Sequence, residues 1–525
     1  MSSITERVDA LFAKWDNPDS PGCVLAVIRN GEFVHKRGYG MADLERRVPI
    51  TPDSVFDIGS TGKQFTATVI AILANQGQIS LDDSIRKHLP EMLSYADQIS
   101  IRHLIHHTSG LRDYLTLMDV QGMNDVNFYP EDSLYDLVAR QKGLNYKPGR
   151  EFLYSNTGYF LLGRIAQRVT GKHITQLIKE HILDPLGMVN TTFNKDHRPI
   201  IKDRALSYDA GDKEGTFDNA IALCGGYGDG AIITNIHDLL LWDHNFYDNK
   251  LNNAQPDLID QLHTTGKLNN GKSISYAFGL ILDKYQGQRI VSHGGSWAGY
   301  RTEMMRFPDH RFTVVCISNL GSINPTRLSQ QVADIYLEDK IKHLSAKKLI
   351  LSGTDMAHFT GIYQGKYLTV EIVIKDKEGG LFLITGTREY CLRQIEKKKF
   401  QTEEGLDTLT FSGGNNEFLR FTEDGMQSEK YKRIRAVRLE EPHLTTYHGG
   451  YVCRELELRY KIIIQDGGLQ IKRNAYDTPG LTTILTEDTI LCDFGELRFK
   501  FKDGNVKGFS LNADRVINLK FHKIQ

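Results

Sequence analysis

The sequence lacks three features that would assign it at once to a functional class: a basic excess, a long apolar run and paired cysteines. Its 525 residues include 64 Lys+Arg and 65 Asp+Glu, for a net charge of −1. Nucleic-acid-binding proteins usually carry a basic excess, so that class is unfavoured. No stretch approaches the roughly 20 apolar residues of a membrane helix, so we expect a soluble protein without a membrane partner.

The amino-terminal stretch MSSITERVDALFAKW mixes charges into an amphipathic helical pattern and has no apolar core of the kind found in secretory signals. We therefore expect a cytoplasmic protein. The six cysteines show neither metal-ligand pairs nor a compact disulfide spacing, which predicts free buried thiols; they are Cys23, Cys224, Cys316, Cys391, Cys453 and Cys492. Neither a metal nor a cofactor is predicted.

The chain is long enough for two to four domains, each with its own core. Over residues 1–348, helical and strand patterns alternate: a hairpin is predicted about Asn30-Gly31 and a helix from Ser60 to Gln76. Short strands follow over 275–319, and a helix over about 325–343. This pattern predicts an α+β domain whose antiparallel sheet combines strands from both ends of the segment, flanked by helices.

Beyond residue 348 the pattern changes to short alternating strands and glycine turns, in two similar copies. Tyr363 is followed 17 residues later by Gly380, and Tyr451 is followed 17 residues later by Gly468. Each copy ends in a strand with an Asp-Gly turn. We therefore predict two small antiparallel β-barrels or sandwiches, at residues 349–443 and 444–525.

The stretch FDIGSTGKQFTA places Ser60 on a glycine-flanked turn and Lys63 three residues later, at the start of the predicted helix. A serine hydroxyl needs a base within hydrogen-bond reach before it can attack an acyl group. A lysine three positions on lies on the same helix face as the serine. Alone, however, this spacing is also typical of an N-cap serine followed by a solvated lysine.

Two further motifs follow in chain order. In YSN, Tyr154 and Asn156 are two residues apart on an extended or looping segment, which points both side chains to the same side. In HGGS, His293 closes a strand, and the adjacent glycines allow a substrate backbone to approach closely. The three motifs together, in this order and on these elements, favour one composite site.

With these motifs, residues 1–348 resemble the serine β-lactamase and penicillin-binding-protein superfamily, in its class C branch, whose motifs are Ser-x-x-Lys, Tyr-x-Asn and Lys/His-x-Gly. The stretches HHTSGLRDY, DPLGMVNTTF and GDGAIITNIHDL also resemble segments of that branch. Within it, the D-aminopeptidases share the full layout, with two β-barrel domains after the catalytic one and a His-Gly-Gly third motif.

The resemblance implies Ser60 as the acylated nucleophile, with Lys63 and Tyr154 sharing the proton transfer. His293 replaces the lysine of many β-lactamases and, being mostly neutral at pH 7, supplies no fixed charge for a substrate carboxylate. His293, the fourth residue of the expected catalytic set after Ser60, Lys63 and Tyr154, therefore departs from the motif of those β-lactamases. This departure argues against efficient β-lactam hydrolysis.

Substrate contacts are implied for a second set of residues. Asn156 would hydrogen-bond the substrate amide, and the oxyanion hole would combine the backbone N–H groups of Ser60 and Ser296, next to Gly295. In the D-aminopeptidases a loop of the last barrel presents an acid to the substrate's free amine. Here that loop would be 472–483, with Asp477 as the acid.

We therefore expect a serine hydrolase that acts through an acyl-enzyme on short peptides or amides, as a D-aminopeptidase or D-amino-acid amidase. A carboxylesterase, a β-lactamase or a DD-peptidase of the same fold remains an alternative, as does a catalytically silent scaffold or binding protein. The expected partners are a small peptide, amide or ester substrate, with a β-lactam considered as an inhibitor and a homodimer as the assembly.

Two other patterns have ordinary interpretations. His103, His106 and His107 have no acidic or cysteine partners at ligand spacing, so we interpret them as helix-surface or loop-anchoring residues. The stretch GGYGDG lacks the spacing of phosphate-binding loops, which leaves nucleotide binding unfavoured.

Overall fold

The structure, a computed structural model, describes residues 3–524 apart from thirteen short ranges. Those ranges are 124–127, 195–197, 223–224, 252–256, 341–355, 366–368, 376–379, 386–387, 403–406, 424–426, 436–440, 466 and 474–479.

The helices of the described residues, numbered in chain order, lie mostly before residue 340. They are α1 (Ile4–Phe12), α2 (Lys63–Asn75), α3 (Ile85–His88), α4 (Ile101–Ile105), α5 (Tyr114–Val120), α6 (Glu131–Ala139), α7 (Asn156–Thr170), α8 (Ile174–Ile178), α9 (Asp184–Leu186), α10 (Ile236–Asn245), α11 (Asp257–Leu262), α12 (Pro325–Tyr336) and α13 (Glu441–Leu444). None of the described helices is long and apolar enough to pass through a membrane.

The strands of the first part of the chain form one large sheet and smaller ribbons. They are β1 (Cys23–Arg29), β2 (Glu32–Tyr39), β3 (Met41–Asp43), β4 (Val48–Pro49), β5 (Phe56–Asp57), β6 (Thr192–Phe193), β7 (Tyr208–Ala210), β8 (Phe217–Asn219), β9 (Ile232–Thr234), β10 (Ile281–Tyr285), β11 (Gln288–Trp297), β12 (Tyr300–Phe307) and β13 (Phe312–Ser318). The large sheet has the order β10-β11-β12-β13-β1-β2. Its antiparallel pairing of β1 with β13, with Cys23 opposite Ser318, joins strands from both ends of the segment, as predicted.

One predicted strand has different bounds. The sequence predicts a strand from residue 275, but β10 begins at Ile281. The reason is a turn before it, in which Gly279 takes a φ of +71° and the Ala277 N–H donates to Leu280 O. An extended strand has no place for such a left-handed residue.

The central strand β1 is buried on both faces because helices cover each side of the sheet. Cys23, Leu25 and Val27 pack into one apolar cluster with residues of α1 and α12. Their neighbours Val24, Ala26 and Ile28 belong to the other cluster, which contains the apolar residues of α2 and α7. Alternation along the strand therefore explains why CVLAVIR is apolar almost throughout.

The remaining strands form two closed antiparallel barrels of eight strands each. The first contains β14 (Gly361–Gln364), β15 (Thr369–Lys375), β16 (Gly380–Thr385), β17 (Arg388–Glu396), β18 (Lys399–Thr402), β19 (Thr408–Ser412), β20 (Phe418–Glu423) and β21 (Gln427–Ile434). The second contains β22 (Gly449–Cys453), β23 (Leu458–Gln465), β24 (Gly468–Lys472), β25 (Gly480–Thr486), β26 (Thr489–Cys492), β27 (Gly495–Lys502), β28 (Asn505–Ala513) and β29 (Val516–Ile524). The predicted fold class is confirmed, with barrels rather than sandwiches.

The two barrels relate differently to the first part of the chain. The first barrel has an apolar cluster of its own, around Tyr363 and Phe411. The apolar residues of the second barrel, including Tyr451 and Phe521, instead belong to the same cluster as α2 and α7. Four of the cysteines, Cys23, Cys316, Cys453 and Cys492, are buried thiols, as expected; Cys391 is half-buried and Cys224 lies outside the described residues.

A buried ion pair fixes the second barrel to the first part of the chain. Arg112 donates to Glu455 at 2.7 Å, and 3% and 11% of the two side chains are exposed. The same guanidinium donates to the carbonyl oxygens of Ile517 and Asn518 in β29. This junction lies one residue before Asp113, whose carboxylate accepts the Asn156 N–H at the start of α7.

Candidate active site

Ser60 lies on the short 3₁₀ turn Gly59–Gly62, which leads directly into α2. The Gly59 N–H donates to the Asp57 carboxylate at 2.9 Å, and burial raises the pKa of that carboxyl to about 6. Since α2 begins three residues after the serine, Lys63 reaches back, and its Nζ donates to Ser60 Oγ at 3.0 Å. The hydroxyl and the amine are therefore in direct contact.

Lys63 is fully buried, yet its ammonium group is completely hydrogen-bonded. Besides Ser60 Oγ, it donates to Asn156 Oδ1 and to the backbone carbonyl of Asp229, each at 2.8 Å. Three donors thus meet three acceptors, which offsets much of the cost of burying the charge. The arrangement holds Nζ beside the serine hydroxyl.

Tyr154 lies on the extended segment that precedes α7, and its ring centroid is 5.0 Å from Lys63 Nζ. Its hydroxyl is buried and has no hydrogen-bond partner among the described residues. Buried polar groups are nearly always paired, so an unpaired phenol costs folding free energy. Such groups concentrate at functional sites, and this one lies beside the Ser60–Lys63 pair.

His107, which sequence reasoning did not place at the site, lies against the Tyr154 ring, with the two centroids 4.2 Å apart. Its Nδ1 accepts the Ser155 N–H at 3.1 Å, so the ring also fixes the backbone next to the tyrosine. Burial, together with the charge on Lys63, holds the pKa of His107 well below its usual value. His107 is therefore a neutral residue that supports the Tyr154 ring. It lies in HHTSGLRDY, one of the stretches that resemble the family, and that resemblance was the sequence signal that could have placed it at the site.

His293 in β11 is buried, and both of its ring nitrogens are engaged. Its Nδ1 lies 2.6 Å from the Gly294 carbonyl oxygen, which can only accept, so Nδ1 carries the proton. Its Nε2 therefore accepts from the Tyr276 hydroxyl at 2.9 Å. Burial, and next the charge on Lys63, lowers the pKa of His293 to about 3, so the ring is uncharged at neutral pH.

Strand β11 packs so closely on the turn that carries Ser60 that two glycines are required. A Cβ on Gly295 would lie 2.0 Å from the Ile58 carbonyl oxygen. Gly59 has a φ of +50°, and a Cβ there would lie 2.8 Å from the Ser296 nitrogen. The contact is reinforced by Thr61 Oγ1, which donates to the His293 carbonyl at 3.1 Å. The turn that carries Ser60 therefore lies directly against the backbone of Gly295 and Ser296.

These groups open into a cleft of about 1880 Å³. Among its lining residues are Ser60, Tyr154, Asn156, His293, Gly295 and Ser296. The first barrel contributes residues such as Tyr390 and Lys430, and the second contributes Asp514, Arg515 and Ile517. All three parts of the chain therefore border the same space.

Comparisons to known proteins agree with the fold. The family model named Beta-lactamase matches residues 8–336, which is more than half of the chain. The chain belongs to the beta-lactamase family.

Two relatives and one solved structure show how far the similarity of this beta-lactamase-family protein extends. Penicillin-binding protein 4* of Bacillus subtilis (strain 168) is 30% identical over 317 residues, which cover 57% of this chain and 68% of that protein. A D-aminopeptidase of Gluconobacter oxydans (strain 621H) is 28% identical over 318 residues, 60% of this chain and 58% of that enzyme, so the match spans less than two thirds of it. A D-amino acid amidase from Ochrobactrum anthropi SV3, solved with L-phenylalanine amide, has a TM-score of 0.54 at 22% identity and covers 65% of this chain and 100% of that one.

The beta-lactamase-family site also includes a turn of the second barrel. Between β28 and β29, the Arg515 carbonyl accepts from the Asp113 N–H at 3.2 Å and from Asn145 Nδ2 at 2.9 Å. The Ile517 N–H donates to Asn145 Oδ1 at 2.8 Å. The sequence predicts a different segment of this barrel, 472–483, at the site; Asp477 of that segment lies outside the described residues.

The other two clustered histidines have local anchoring roles. His103 Nδ1 accepts the Ser100 N–H at 3.1 Å at the start of α4, and His106 Nδ1 lies 3.2 Å from the Tyr276 carbonyl. Over the described ranges, His, Cys, Asp and Glu side chains do not assemble into a group of three that could hold a metal ion.

Asp229 is a further site residue that sequence reasoning missed. Beyond its carbonyl contact to Lys63, its carboxylate accepts from Tyr114 Oη at 3.0 Å. Burial raises the pKa of this carboxyl, while the nearby Lys63 charge opposes that shift. The residue lies in GGYGDG and also in GDGAIITNIHDL, a stretch that resembles the family but that gave Asp229 no chemical role.

Proposed function

We propose that this protein is a serine hydrolase that forms an acyl-enzyme on Ser60 and cleaves short peptides or amides that begin with a D-amino acid. The observation that carries the proposal is the 3.0 Å contact of Lys63 Nζ with Ser60 Oγ, beside the unpartnered Tyr154 hydroxyl. Similarity to a D-aminopeptidase supports the substrate class. Similarity to a solved D-amino acid amidase supports the fold in which such chemistry is performed.

In the proposed acylation, Ser60 Oγ attacks the substrate carbonyl carbon while its proton passes to Lys63 and Tyr154, which act as one unit. The C–N bond then breaks, and the same pair returns the proton to the leaving nitrogen. Water attacks the resulting ester, the acid is released, and Ser60 regains its proton. Proton transfer of this kind contributes about 10²- to 10⁴-fold to the rate.

The developing oxyanion would bind between the backbone N–H groups of Ser60 and Ser296. The close packing of Gly59 on Ser296, where an added Cβ would lie 2.8 Å from the Ser296 nitrogen, supports this placement. Asn156 uses its Oδ1 for Lys63, which leaves its Nδ2 to donate to the substrate amide. His293 shapes the site as a neutral group through Tyr276 and the β11 backbone.

Because His293 is neutral, the third motif provides no fixed positive charge for a substrate carboxylate. This supports a peptidase or amidase over a β-lactamase. The panel that distinguishes these activities is D-alanine p-nitroanilide, a p-nitrophenyl ester and a chromogenic cephalosporin. We expect the highest kcat/KM on the anilide. Fastest turnover of the ester would favour a carboxylesterase, and fastest turnover of the cephalosporin a β-lactamase or DD-peptidase.

The experiment that tests the chemistry itself is covalent labelling with a fluorophosphonate, followed by mass spectrometry. We expect one adduct, on Ser60, that is absent in Ser60→Ala. Ser296→Ala is the matched control because it removes a second serine hydroxyl of the cleft without removing the nucleophile. A folded wild type that takes no label would instead support the catalytically silent scaffold.

Asp477 remains our proposed acid for the substrate's free amine. A carboxylate about 4 Å from an ammonium group gains on the order of 4 kcal/mol at an effective dielectric near 20, before desolvation. We expect Asp477→Asn to raise KM for amino-free substrates while sparing blocked esters. Equal losses on both substrates would remove this role.

A further inference from the structure

Asp57 is a buried carboxylate next to the nucleophile, and the proposed acylation does not use it. The residue ends strand β5, and only 1% of it is exposed. Its Oδ1 accepts the Gly59 N–H at 2.9 Å, while its Oδ2 lies 3.5 Å from Asn194 Nδ2, at the limit of a hydrogen bond. The stronger of these contacts therefore ties the carboxylate to the backbone of the turn that carries Ser60.

Strand β9 holds the backbone between Asp57 and this turn. Ile233 in β9 pairs with Asp57, and the Ile232 carbonyl accepts the Ile58 N–H at 3.0 Å. The next backbone N–H along the chain, that of Gly59, goes to the Asp57 carboxylate instead of to the strand. The side chain of Asp57 thus continues the hydrogen bonding of the strand into the turn.

Gly59 is the residue whose conformation this contact constrains. Its φ of +50° lies in the left-handed region, and it packs so closely on β11 that an added Cβ would lie 2.8 Å from the Ser296 nitrogen. The peptide plane that follows Gly59 carries the Ser60 N–H, so the direction of that N–H depends on the torsion angles of Gly59. An acceptor that restrains Gly59 therefore also restrains a proposed oxyanion donor.

The charged groups around Asp57 come from other segments of the chain. Burial raises the pKa of the Asp57 carboxyl to about 6, and the nearby carboxylate of Asp229 adds to this shift. The Gly59 N–H, the guanidinium of Arg204 and the amide of Asn194 act against it. Asp57 is therefore ionised at pH 7.5 and takes up a proton as the pH falls to 5.

Tyr300 on β12 faces the same group of charges. Burial raises the pKa of its phenol, so this hydroxyl is neutral at both pH values. Its hydroxyl donates to the Ala205 carbonyl, next to Arg204 in the chain. Tyr300 therefore adds no charge that would change over this pH range.

We propose that Asp57 is a positioning residue: its carboxylate holds Gly59 in the left-handed conformation and so directs the Ser60 N–H toward the oxyanion. This inference rests on the proposed function and adds a residue to the oxyanion side of the site. A hydrogen bond to an ionised acceptor is about twice as strong as one to a neutral acceptor, so protonation of Asp57 weakens its hold on Gly59. Activity should therefore fall as Asp57 takes up its proton.

The test measures kcat and KM on a p-nitrophenyl ester at pH 7.5 and pH 5. Asp57→Asn keeps an oxygen acceptor for Gly59 but loses the charge, so its kcat should be about 5-fold below that of the wild type at pH 7.5 and within about 2-fold of it at pH 5. Asp57→Ala removes the acceptor and should lower kcat by about 10²-fold at pH 7.5. KM should stay within about 2-fold in both variants, because the oxyanion contact is made mainly in the transition state.

Asp238→Asn is the matched control. Asp238 is also a buried carboxylate, and it accepts the Asn190 N–H at 2.8 Å and Asn190 Nδ2 at 3.1 Å, outside the cleft. The ratio of wild-type to variant kcat should be the same at the two pH values for Asp238→Asn and should differ for Asp57→Asn. A ratio that is independent of pH for Asp57→Asn would overturn the proposal, as would the same pH-dependent ratio in both variants.

NMR of the backbone separates this inference from the proposed function, because it requires no catalysis. In protein labelled with ¹⁵N-glycine, the Gly59 amide signal is assigned by its absence from Gly59→Ala. We expect this signal to shift between pH 7.5 and pH 5 with a midpoint near 6 in the wild type, and to stay in place in Asp57→Asn.

The wild-type titration decides the inference even where a substitution at Asp57 prevents folding. A Gly59 signal that titrates with this midpoint supports the hold of Asp57 on the turn, even if a fluorophosphonate leaves Ser60 unlabelled. A Gly59 signal that does not respond to pH overturns the inference, even if Ser60 is labelled.

Discussion

At the scale of single residues, Lys63 makes the three hydrogen bonds that its ammonium group can donate. It is buried, and each of its three acceptors comes from a different segment of the chain: Ser60, Asn156 and Asp229. Removing a charged partner from buried acceptors costs more than the bond itself was worth, because the acceptors stay desolvated. Lys63 therefore contributes to both the stability and the chemistry of the site.

We expect Lys63→Met to lower kcat on a p-nitrophenyl ester by at least about 10³-fold, since it removes half of the proton-transfer pair. The variant should also lose roughly 1–3 kcal/mol of unfolding free energy, because Asn156 Oδ1 and the Asp229 carbonyl lose their donor. Steady-state kinetics and urea denaturation measure the two effects. Retention of more than a tenth of the wild-type kcat would contradict the role of the lysine.

The low pKa of His293 predicts how the stability of the fold depends on pH. Its pKa is about 3 in the folded protein and about 6.5 in an unfolded chain, so below pH 6.5 the unfolded state takes up a proton that the folded state does not. Stability therefore falls with decreasing pH between about 6.5 and 3. His293→Gln should remove about 2 kcal/mol of the stability difference between pH 7.5 and pH 5.

Denaturation of the wild type and of His293→Gln at the two pH values measures this effect. His263 provides a comparison outside the cleft, since burial lowers its pKa to about 4. His263→Gln should reduce the acid sensitivity in the same direction without changing kcat. An unaltered pH dependence in His293→Gln would show that the ring takes up its proton at the same pH in the folded and the unfolded state, which contradicts the lowered pKa.

At the scale of elements, the site depends on the contact between the turn Gly59–Gly62 and strand β11. Each element is ordinary by itself: a 3₁₀ turn before a helix and a strand next to the edge of its sheet. Their separation is set by backbone contacts at Gly59 and Gly295, where no side chain fits. The distance between two proposed oxyanion donors is therefore decided by the lack of a Cβ atom at these two positions.

We expect Gly59→Ala to lower kcat by about 10²-fold or more, because the added methyl pushes the Ser296 nitrogen away from the oxyanion position. Gly77→Ala is the matched control: Gly77 also has a positive φ, +71°, but a Cβ added there would meet no atom of the described residues within 4 Å. Both substitutions strain the backbone, because alanine would have to adopt a positive φ. Only Gly59→Ala also brings the new methyl group against Ser296. Equal kcat values for the two variants would remove the proposed role of this packing.

At the scale of the whole molecule, the second barrel is part of the active-site structure. Its apolar interior is continuous with the core around α2 and α7, and Arg112 joins Glu455 across the boundary. Glu455 also accepts the Lys142 N–H at 2.7 Å, so its carboxylate is held by two groups of the first part. Because Arg112 precedes Asp113, this junction supports the residue that binds the start of α7.

We expect Glu455→Gln to destabilise the protein by about 3 kcal/mol, since breaking a buried ion pair leaves Arg112 uncompensated. The control is Glu457→Gln, which breaks the exposed pair with Arg140 at 3.3 Å on the same boundary and should cost less than about 1 kcal/mol. Thermal and denaturant unfolding measure both. Similar small effects in the two variants would mean that the barrel is held by its apolar contacts alone.

The sequence by itself determined individual helices and strands and the pairing of Ser60 with Lys63. Helical spacing of apolar residues predicted α2, and an apolar β-rich run before Asn30-Gly31 predicted β1. The three-residue step predicted that Ser60 and Lys63 meet, because such rules act over a few neighbouring residues. The repeated Tyr and Gly spacing likewise predicted two similar barrels. These are properties of short segments, and they need no contact between distant parts of the chain.

The tertiary structure decided which distant groups complete the site. Lys63 meets Asn156 and Asp229 across 93 and 166 residues, and Asn145 meets the Arg515 carbonyl across 370. Such contacts depend on how whole elements pack, and no local pattern distinguishes the turn before β29 from the other turns of its barrel. Arg515 therefore comes to lie beside Tyr154 because a shared apolar core and a buried ion pair dock the last barrel there.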